Sequence, residues 1–538
     1  MSSLGASIEL AWWWVAVPLA ALAGLVLLLL LRVPTFTRLP EALRAMREPG
    51  DGPAPASSVF LASAASLGAG AAVAGAMAVS LGGAGSLAWL WLFGIVLAPL
   101  RLADVLLSRT SPPGRATGEP AGSLAGRLQA DASPVVRALG GLLLAAMVVA
   151  ASVGVLGVHG AALAEISEAA LPGSAMGVGA AVAVAAALLA ILGRDKPWLG
   201  WLAGAAVVAL LLLGFVACLV DPGRALGAIV RSFEDALHGA APASAFSGAL
   251  ASEVARAALL QVLPPMVLTL GTDGALYADA RGGTKRVASS ALLSTLAHVV
   301  VATAVGLALI ATGAYSRRVE GERRLSEITF VDAPFDTASQ RIEPERLWTG
   351  FLRVNDGRAQ AEPLEGATER GMIDDTRFVG PDGEPGDLAL RVRRGQAELL
   401  LEPDDAGALV QSDPSRLRQI RVTGRMLPMG GALVNAAMTR VGGEVTVRLT
   451  LAVLLVLVAV GAAALGIALA RTLERRIDKG AARVVSVLPG LALLVACVLG
   501  AAGPTEPPLG ALGLLGASVI AIVASLAILA KSVEVTRL

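Results

Sequence analysis

The chain reads Ser66-Leu67-Gly68-Ala69-Gly70-Ala71-Ala72-Val73-Ala74-Gly75 at the centre of an apolar run that extends from Ser58 to Val79. A run of this length can cross a bilayer as a helix. Glycine leaves helical geometry readily, and Gly68 and Gly70 lie near the expected midplane of the membrane. Transporters break helices at that depth and bind substrate and ion with the freed backbone groups. Glycine and alanine also let helices pack closely in lipid, so this segment alone supports either interpretation.

The composition is that of a polytopic membrane protein. Of the 538 residues, 55% are hydrophobic and only 16% are charged, and the mean hydropathy is +0.71. Soluble domains average about 25% charged residues. The net charge of +1 gives no indication of nucleic-acid binding. Cys218 and Cys497 lie inside apolar runs and the three histidines are far apart, so the sequence predicts no metal site.

About eleven apolar segments follow one another along the chain. Arg and Lys clusters recur at every second boundary, and the positive-inside rule assigns that side to the cytoplasm. The expected protein is multi-pass and lies in a bacterial plasma (inner) membrane, with its N-terminus outside and its C-terminus cytoplasmic. The predicted spans are residues 11–31, 58–79, 85–107, 138–158, 176–192, 198–220, 257–280, 287–312, 449–470, 484–500 and 509–530, and residues 221–252 are expected to include an outer amphipathic helix.

Residues 314–447 are expected to form a soluble, β-rich insert, which by parity is extracytoplasmic. The segment Leu388–Leu401 alternates around Arg394-Gly395 and predicts a β-hairpin. Residues 328–331 and 352–354 also read as strands. The insert has no nucleophile–base pair, metal spacing or phosphate loop, so an enzyme is not indicated. A protein or cell-envelope partner of this insert is one interpretation. Its aromatic residues Trp348, Phe351 and Phe378 are expected to form its core.

Five segments together resemble one family of membrane carriers. The basic segment Val33–Arg44 precedes the second span, and Leu67–Ala71 falls where the family has V-G-T-G-N. Leu81–Trp91 has the spacing of G-G-P-G-A-x-F-W-M-W, and Gly271–Ala275 falls within the counterpart of S-N-E-A-G-M-G-S-A-P. Gly430–Leu433 is similar to the segment that enters the family's next helix. The family is the alanine/glycine:cation (sodium:alanine) symporters, and this chain resembles a divergent member of the amino acid–polyamine–cation superfamily.

The resemblance implies an all-α polytopic fold with a five-plus-five inverted repeat and one extra N-terminal helix. The expected parts are residues 1–32 (extra helix), 33–313 (helices 2–8 of the core), 314–447 (insert) and 448–538 (last three helices). The spans at residues 58–79 and 257–280 would be the broken pair. The implied function is transport of a small neutral amino acid by alternating access, with Na⁺ or H⁺ as the candidate coupling ion and no other cofactor.

The departures from the family motifs fall at the positions expected to bind sodium. Ala69 and Ala71 replace a Thr and an Asn of the family, and Ala462 and Ala463 stand for a Thr pair. The family's S-N-E corresponds to residues 267–269 in this alignment. Loss of these side-chain oxygens predicts a weakened or absent sodium site. It also leaves open a second interpretation, a transport-inactive sensor, scaffold or complex subunit that acts through its insert.

The candidate substrate- and ion-binding residues lie in three spans. An ionisable side chain inside a span is a functional candidate, so Asp273 either binds an ammonium group or proton, or lies solvated beside Arg281. His298 either titrates near neutral pH or bonds a neighbouring helix. Arg101 and Asp104 are expected to be interfacial. The full set is Ser66, Gly68, Gly70, Thr269, Gly271, Thr272, Asp273, Gly274, Ser294 and His298.

Overall fold

The chain divides into two compact units, Met1–Thr312 with Gly430–Leu538, and Gly313–Met429. The computed structural model describes residues 3–47, 53–110, 122–171, 173–194, 196–236, 259–325, 328–331, 347–359, 365–368, 371–380, 383–385, 387–403, 409–417, 419–428, 430–474, 477–502 and 509–538.

Helices form almost all of the described part of the first unit. In chain order the helices of both units are α1 (Leu4–Leu30), α2 (Pro34–Thr37), α3 (Leu39–Ala45), α4 (Pro55–Gly82), α5 (Gly85–Arg109), α6 (Leu124–Gln129), α7 (Pro134–Ala170), α8 (Ala175–Leu192), α9 (Trp198–Cys218), α10 (Pro222–Ala236), α11 (Leu263–Val267), α12 (Asp273–Leu276), α13 (Thr284–Thr312), α14 (Pro414–Leu417), α15 (Gly431–Leu473), α16 (Lys479–Gly500), α17 (Leu509–Ala530) and α18 (Ser532–Arg537). Of these, α14 belongs to the second unit.

Ten of the described helices are long and apolar enough to cross a membrane: α1, α4, α5, α7, α8, α9, α13, α15, α16 and α17. They confirm the predicted polytopic all-α class. The count is one lower than expected because the span predicted at residues 257–280 is not a continuous helix. Its described part holds a helical turn at residues 259–261 and the short helices α11 and α12. The inverted repeat stays a prediction.

One of the two segments that flank the spans lies where it was expected, and the end of the insert does not. The helix α10 lies within the predicted amphipathic segment, of which residues 237–252 are outside the described ranges. The helix α15 begins at Gly431 and is interrupted at Gly442 and Gly443, whose backbones are not helical. Residues 431–447 belong to the first unit, whereas the sequence placed them in the insert. The Glu165 carboxylate accepts a hydrogen bond of 3.0 Å from the Gly431 N–H, where a negative charge stabilises the start of a helix.

The second unit is built from three antiparallel sheets around an apolar core. Their strand orders are β1-β11-β7, β10-β9-β8-β3-β4 and β2-β5-β6. The strands are β1 (Val319–Arg324), β2 (Thr329–Val331), β3 (Gly350–Asn355), β4 (Arg358–Ala359), β5 (Glu365–Thr368), β6 (Gly371–Met372), β7 (Asp374–Val379), β8 (Leu388–Arg393), β9 (Gln396–Pro403), β10 (Leu409–Gln411) and β11 (Arg421–Met426).

The predicted hairpin is confirmed by the pairing of β8 with β9. Arg394 and Gly395 connect the strands with φ of 49° and 75°, the backbone that a tight two-residue hairpin turn requires. Phe378 lies in the core and Trp348 packs against it, as expected. The expectation for Phe351 is wrong, because its side chain is 63% exposed. The β3 strand alternates in burial, and Phe351 precedes the buried positions Leu352 and Val354 on the outward phase.

Close glycine contacts bring α17 against the middle of α7. A Cβ at Gly513 would lie 2.6 Å from the carbonyl carbon of Gly157, and a Cβ at Gly516 would lie 2.5 Å from the Cα of Gly154. Backbones can approach this closely only where neither helix carries a side chain. Gly510, on the same helix, has no atom near the position of its Cβ.

We expect Gly513→Leu to destabilise the first unit by about 1–3 kcal/mol, because the added side chain must separate two backbones. Gly510→Leu is the matched control and should leave stability within about 0.5 kcal/mol. Unfolding of the purified protein in mixed micelles measures both changes. Equal stabilities of the two variants would contradict the glycine contact.

Candidate transport site

The helix α4 is interrupted at Gly68. Its φ of 42° and ψ of −160° are not helical, although the residues on both sides are. Residues that carry a side chain rarely adopt these backbone dihedral angles, whereas glycine adopts them readily. The break falls inside the glycine-rich segment from which the sequence analysis began. The structure therefore favours the broken-helix interpretation over close packing alone.

His159 fills the space beside this break. Its Nδ1 accepts a hydrogen bond of 3.3 Å from the Gly70 N–H, and a Cβ at Gly68 would lie 2.4 Å from the same nitrogen. The imidazole comes from a π-helical turn of α7, Leu156–Gly160. Such turns recur at functional sites. The imidazole nitrogen thus accepts the hydrogen bond of a backbone N–H group that the break has freed.

The gap around His159 is narrow and apolar. It leaves no room for a water-sized sphere. Its lining comes from α4, α7, α15 and α16 and consists of Ala64, Ala65, Gly68, Val155, His159, Val458, Gly461, Ala462 and Leu493.

The second break lies between α11 and α12. Residues 268–272 form turns instead of a helix, and Gly271 has a φ of 82°. Several carbonyl groups of the segment around this break accept hydrogen bonds from side chains of other helices. Arg101 donates to the carbonyl group of Met266 (3.0 Å), Arg471 to that of Ala275 (3.1 Å) and Ser58 to that of Leu276 (3.0 Å). Arg109 donates to the carbonyl groups of Tyr277 (2.6 Å), Ala278 (3.1 Å) and Gly282 (3.2 Å).

Arg101 forms the central buried contact of this segment. Its Nη1 lies 3.3 Å from Asp273 Oδ2 and 3.4 Å from Oδ1, and the side chains are 2% and 0% exposed. The same Nη1 donates to the Ser294 hydroxyl at 3.3 Å. Arg101 therefore joins α5, the broken segment and α13. The expectation that Arg101 is interfacial is wrong, as is the solvated alternative for Asp273.

Asp104 lies one turn further along α5 and is also fully buried. Its Oδ2 accepts a 3.3 Å hydrogen bond from the Gly274 N–H. Its Oδ1 lies 3.2 Å from the Ser108 hydroxyl. A Cβ at Gly274 would lie 1.9 Å from Ser108 Oγ, so only glycine permits this approach. The interfacial interpretation of Asp104 is wrong as well.

His298 lies between the two breaks. It is fully buried and lies near Arg101, His159 and the Ser66 backbone. In the described part of the chain neither ring nitrogen has a hydrogen-bond partner of standard geometry. His298 thus connects the two groups of candidate residues.

The other candidate hydroxyls bond locally. The Ser66 hydroxyl donates to the Ser63 carbonyl at 3.1 Å, and the Thr272 hydroxyl donates to the Thr269 carbonyl at 2.6 Å. The Ser294 hydroxyl donates to Ala291 while it accepts from Arg101. These contacts close the turns of the broken segments.

Sequence reasoning missed His159, Arg101 and Asp104 as members of the site. The signal for Arg101 and Asp104 was the apolar sequence on both sides of them, which continues to Leu107. No comparable signal marks His159, because its role depends on the fold of α4. Asp279 lies at the end of the span predicted at residues 257–280, where the sequence predicts a solvated side chain beside Arg281; it is 60% exposed and pairs with Arg471 at 2.9 Å. Glu253 and Arg256 precede the same span and are expected either to line an outer vestibule or to pair with each other; they lie outside the described residues.

A multi-pass helical protein with discontinuous helices in its interior has the architecture of a membrane transporter. The chain belongs to the sodium:alanine symporter family, whose family model matches residues 2–319. This is a family of transporters and not of enzymes. No curated protein matches the chain.

We expect Arg101→Met to cost about 3–5 kcal/mol of stability, because it leaves the Asp273 carboxylate buried without its partner. Arg448→Met is the control, since its pair with Glu444 is 68% and 83% exposed; exposed pairs contribute about 0–1 kcal/mol. The double variant Arg101→Met, Asp273→Leu should recover much of the loss. Unfolding in mixed micelles measures the cycle, and equal losses for the two single Arg variants would contradict the assigned pair.

Proposed function

We propose that this protein is a secondary transporter of small neutral amino acids with a weakened sodium site. The observation that carries the proposal is the break of α4 at Gly68, which frees the Gly70 N–H in the protein interior. A freed N–H at the midplane is suited to a substrate carboxylate, since it donates where no water competes. Because the gap is closed to a water-sized sphere, a substrate with a small side chain would need the least displacement of its lining.

The weakened sodium site is supported by what surrounds the break. Sodium needs several oxygen ligands, but Ala64, Ala65 and Ala462 line the gap. Ala69, Ala71 and Ala463 are buried and supply no side-chain oxygen. The remaining oxygens are backbone carbonyls and the hydroxyls of Ser63 and Ser66, which donate to carbonyls within α4. A site of this composition binds sodium weakly.

The position of His159 indicates which state of the carrier, open or closed, the structure represents. Its imidazole bonds the Gly70 N–H and fills the position beside Gly68. A substrate carboxylate that uses this donor must displace the imidazole. The structure is therefore a closed state of the carrier, and opening requires movement of α7 relative to α4.

A second function is favoured by the same closed gap. An apolar centre with no room for water also fits a protein that no longer transports and acts as a sensor, scaffold or complex subunit. The unit Gly313–Met429 would then bind a protein or cell-envelope partner. Transport has the stronger support, because a purely structural helix has no need of a break at Gly68.

The membrane placement follows from the charge pattern of the loops. We place the N-terminus and the β-rich insert outside a bacterial inner membrane and the C-terminus in the cytoplasm. The inverted repeat and the four-part division at residues 32, 313 and 447 belong to the same proposal. Here the structure suggests an earlier end of the insert, at Met429.

Uptake of labelled alanine and glycine into proteoliposomes tests the function. We expect saturable uptake above that of protein-free liposomes, with little dependence on a sodium gradient. Gly68→Leu should abolish uptake, because it collides with His159 and has a strained backbone. Gly177→Leu is the control, since no atom lies near its Cβ. Absence of uptake of any small amino acid by the folded wild type would contradict transport and favour the scaffold.

A further inference from the structure

Three ionisable side chains form one buried cluster whose charges do not balance. Arg101, Asp104 and Asp273 are 2%, 0% and 0% exposed. The cluster carries two carboxyl groups and one guanidinium group. If all three were ionised, the protein interior would hold a net negative charge.

The guanidinium group neutralises only one of the two carboxylates. Arg101 lies 3.3 Å from Asp273. In the part of the chain that the structure describes, no Lys, Arg or His nitrogen lies within 4.0 Å of Asp104. Its polar contacts include the N–H groups of Gly274 and Asp273 and the Ser108 hydroxyl, which are neutral donors. Asp104 is therefore the group that lacks a counter-ion.

Burying a carboxylate without a counter-ion raises the free energy far more than hydrogen bonds from neutral donors lower it. Such groups bind a proton and become neutral. A metal ion would be the alternative. Such an ion needs several oxygen ligands, whereas the Asp104 carboxylate is contacted by backbone N–H groups and one hydroxyl. The proton is the ion that suits this set of contacts.

A further buried group points into the cluster. Tyr277 follows α12 and interacts electrostatically with Asp273 and Arg101. Its hydroxyl is fully buried and lacks a hydrogen-bond partner of standard geometry within the described ranges. The titratable groups that face the carboxyl pair are thus Arg101 on α5, Tyr277 beside α12 and His298 on α13, which interacts with Arg101.

We propose that Asp104 carries a proton in this closed state and that this proton is the coupling ion of transport. The coupling part of the proposal rests on the transport function proposed above. On loading, a hydronium ion gives its proton to an Asp104 oxygen, and one O–H bond forms. On release to the other side the same O–H bond breaks, and no oxidation or reduction occurs.

The position of Asp104 explains how its charge can bias the conformation of the protein. Its hydrogen bond to the Gly274 N–H joins the helix α5 to the discontinuous segment. Loss of the proton leaves a net negative charge in the interior. The charge favours a conformation in which water reaches the cluster. Protonation restores the closed arrangement.

Infrared spectroscopy tests the proton directly and without transport. We expect a carboxylic-acid C=O band in the wild type near neutral pH that shifts in D₂O and is absent from Asp104→Asn. Asp279→Asn is the matched control, because this carboxylate lies in the same segment but is exposed and paired with Arg471; its spectrum should keep the band. Asp104→Glu should move the band, which keeps the test valid if the Asn variant does not fold. A wild type without the band, or a band that persists in Asp104→Asn, overturns the proposal.

Proteoliposomes with an entrapped pH dye test the coupling. An acid-outside gradient should drive accumulation of labelled alanine and acidify the lumen in the wild type and in Asp279→Asn. Accumulation by Asp104→Asn should fall to the level of protein-free liposomes. Accumulation driven by a sodium gradient and not by a pH gradient would overturn the coupling role while supporting transport. Absence of uptake under every gradient would contradict transport and coupling together, and the infrared band would still decide whether Asp104 holds the proton.

Discussion

The structure of the first unit depends on how the peptide groups of residues 266–278 are satisfied in the protein interior. An interrupted helix in this position exposes carbonyl groups that have no partner in their own segment. Arg101, Arg109 and Arg471 donate to many of them from α5 and α15. Buried arginine is costly, and here the cost is offset by Asp273 and by the carbonyl groups. The break and the charged residues therefore require each other.

At the break in α4 the freed backbone group has a different kind of hydrogen-bond partner. There the freed donor is the Gly70 N–H and its partner is the neutral imidazole of His159. A neutral acceptor can be displaced at lower cost than an ion pair. The two breaks thus have distinct roles, in which the Gly68 side is suited to exchange its partner and the Asp273 side stays charged. His298 is fully buried on α13, a helix that packs against both α4 and α5.

The parts of this account that the sequence predicted are those with a local signal. Hydropathy located the long helices, and alternation around Arg394-Gly395 located the hairpin. The glycines at positions 68 and 271 marked both breaks. By contrast, Arg101 was placed at the interface, because nothing local shows that α11 and α12 offer it a carboxylate and a carbonyl. His159 was missed because its importance arises only when α7 packs on a broken α4. Partners set by tertiary packing have no signature in one sequence.

The central claim is that the Gly70 N–H is a substrate donor held by His159 in the closed state. An experimentally determined structure with bound alanine tests this most directly. The account predicts that the imidazole leaves Gly70 and that the alanine carboxylate accepts the Gly70 N–H, while Arg101 stays paired with Asp273. If His159 kept its bond to Gly70 with alanine bound elsewhere, the account would be contradicted.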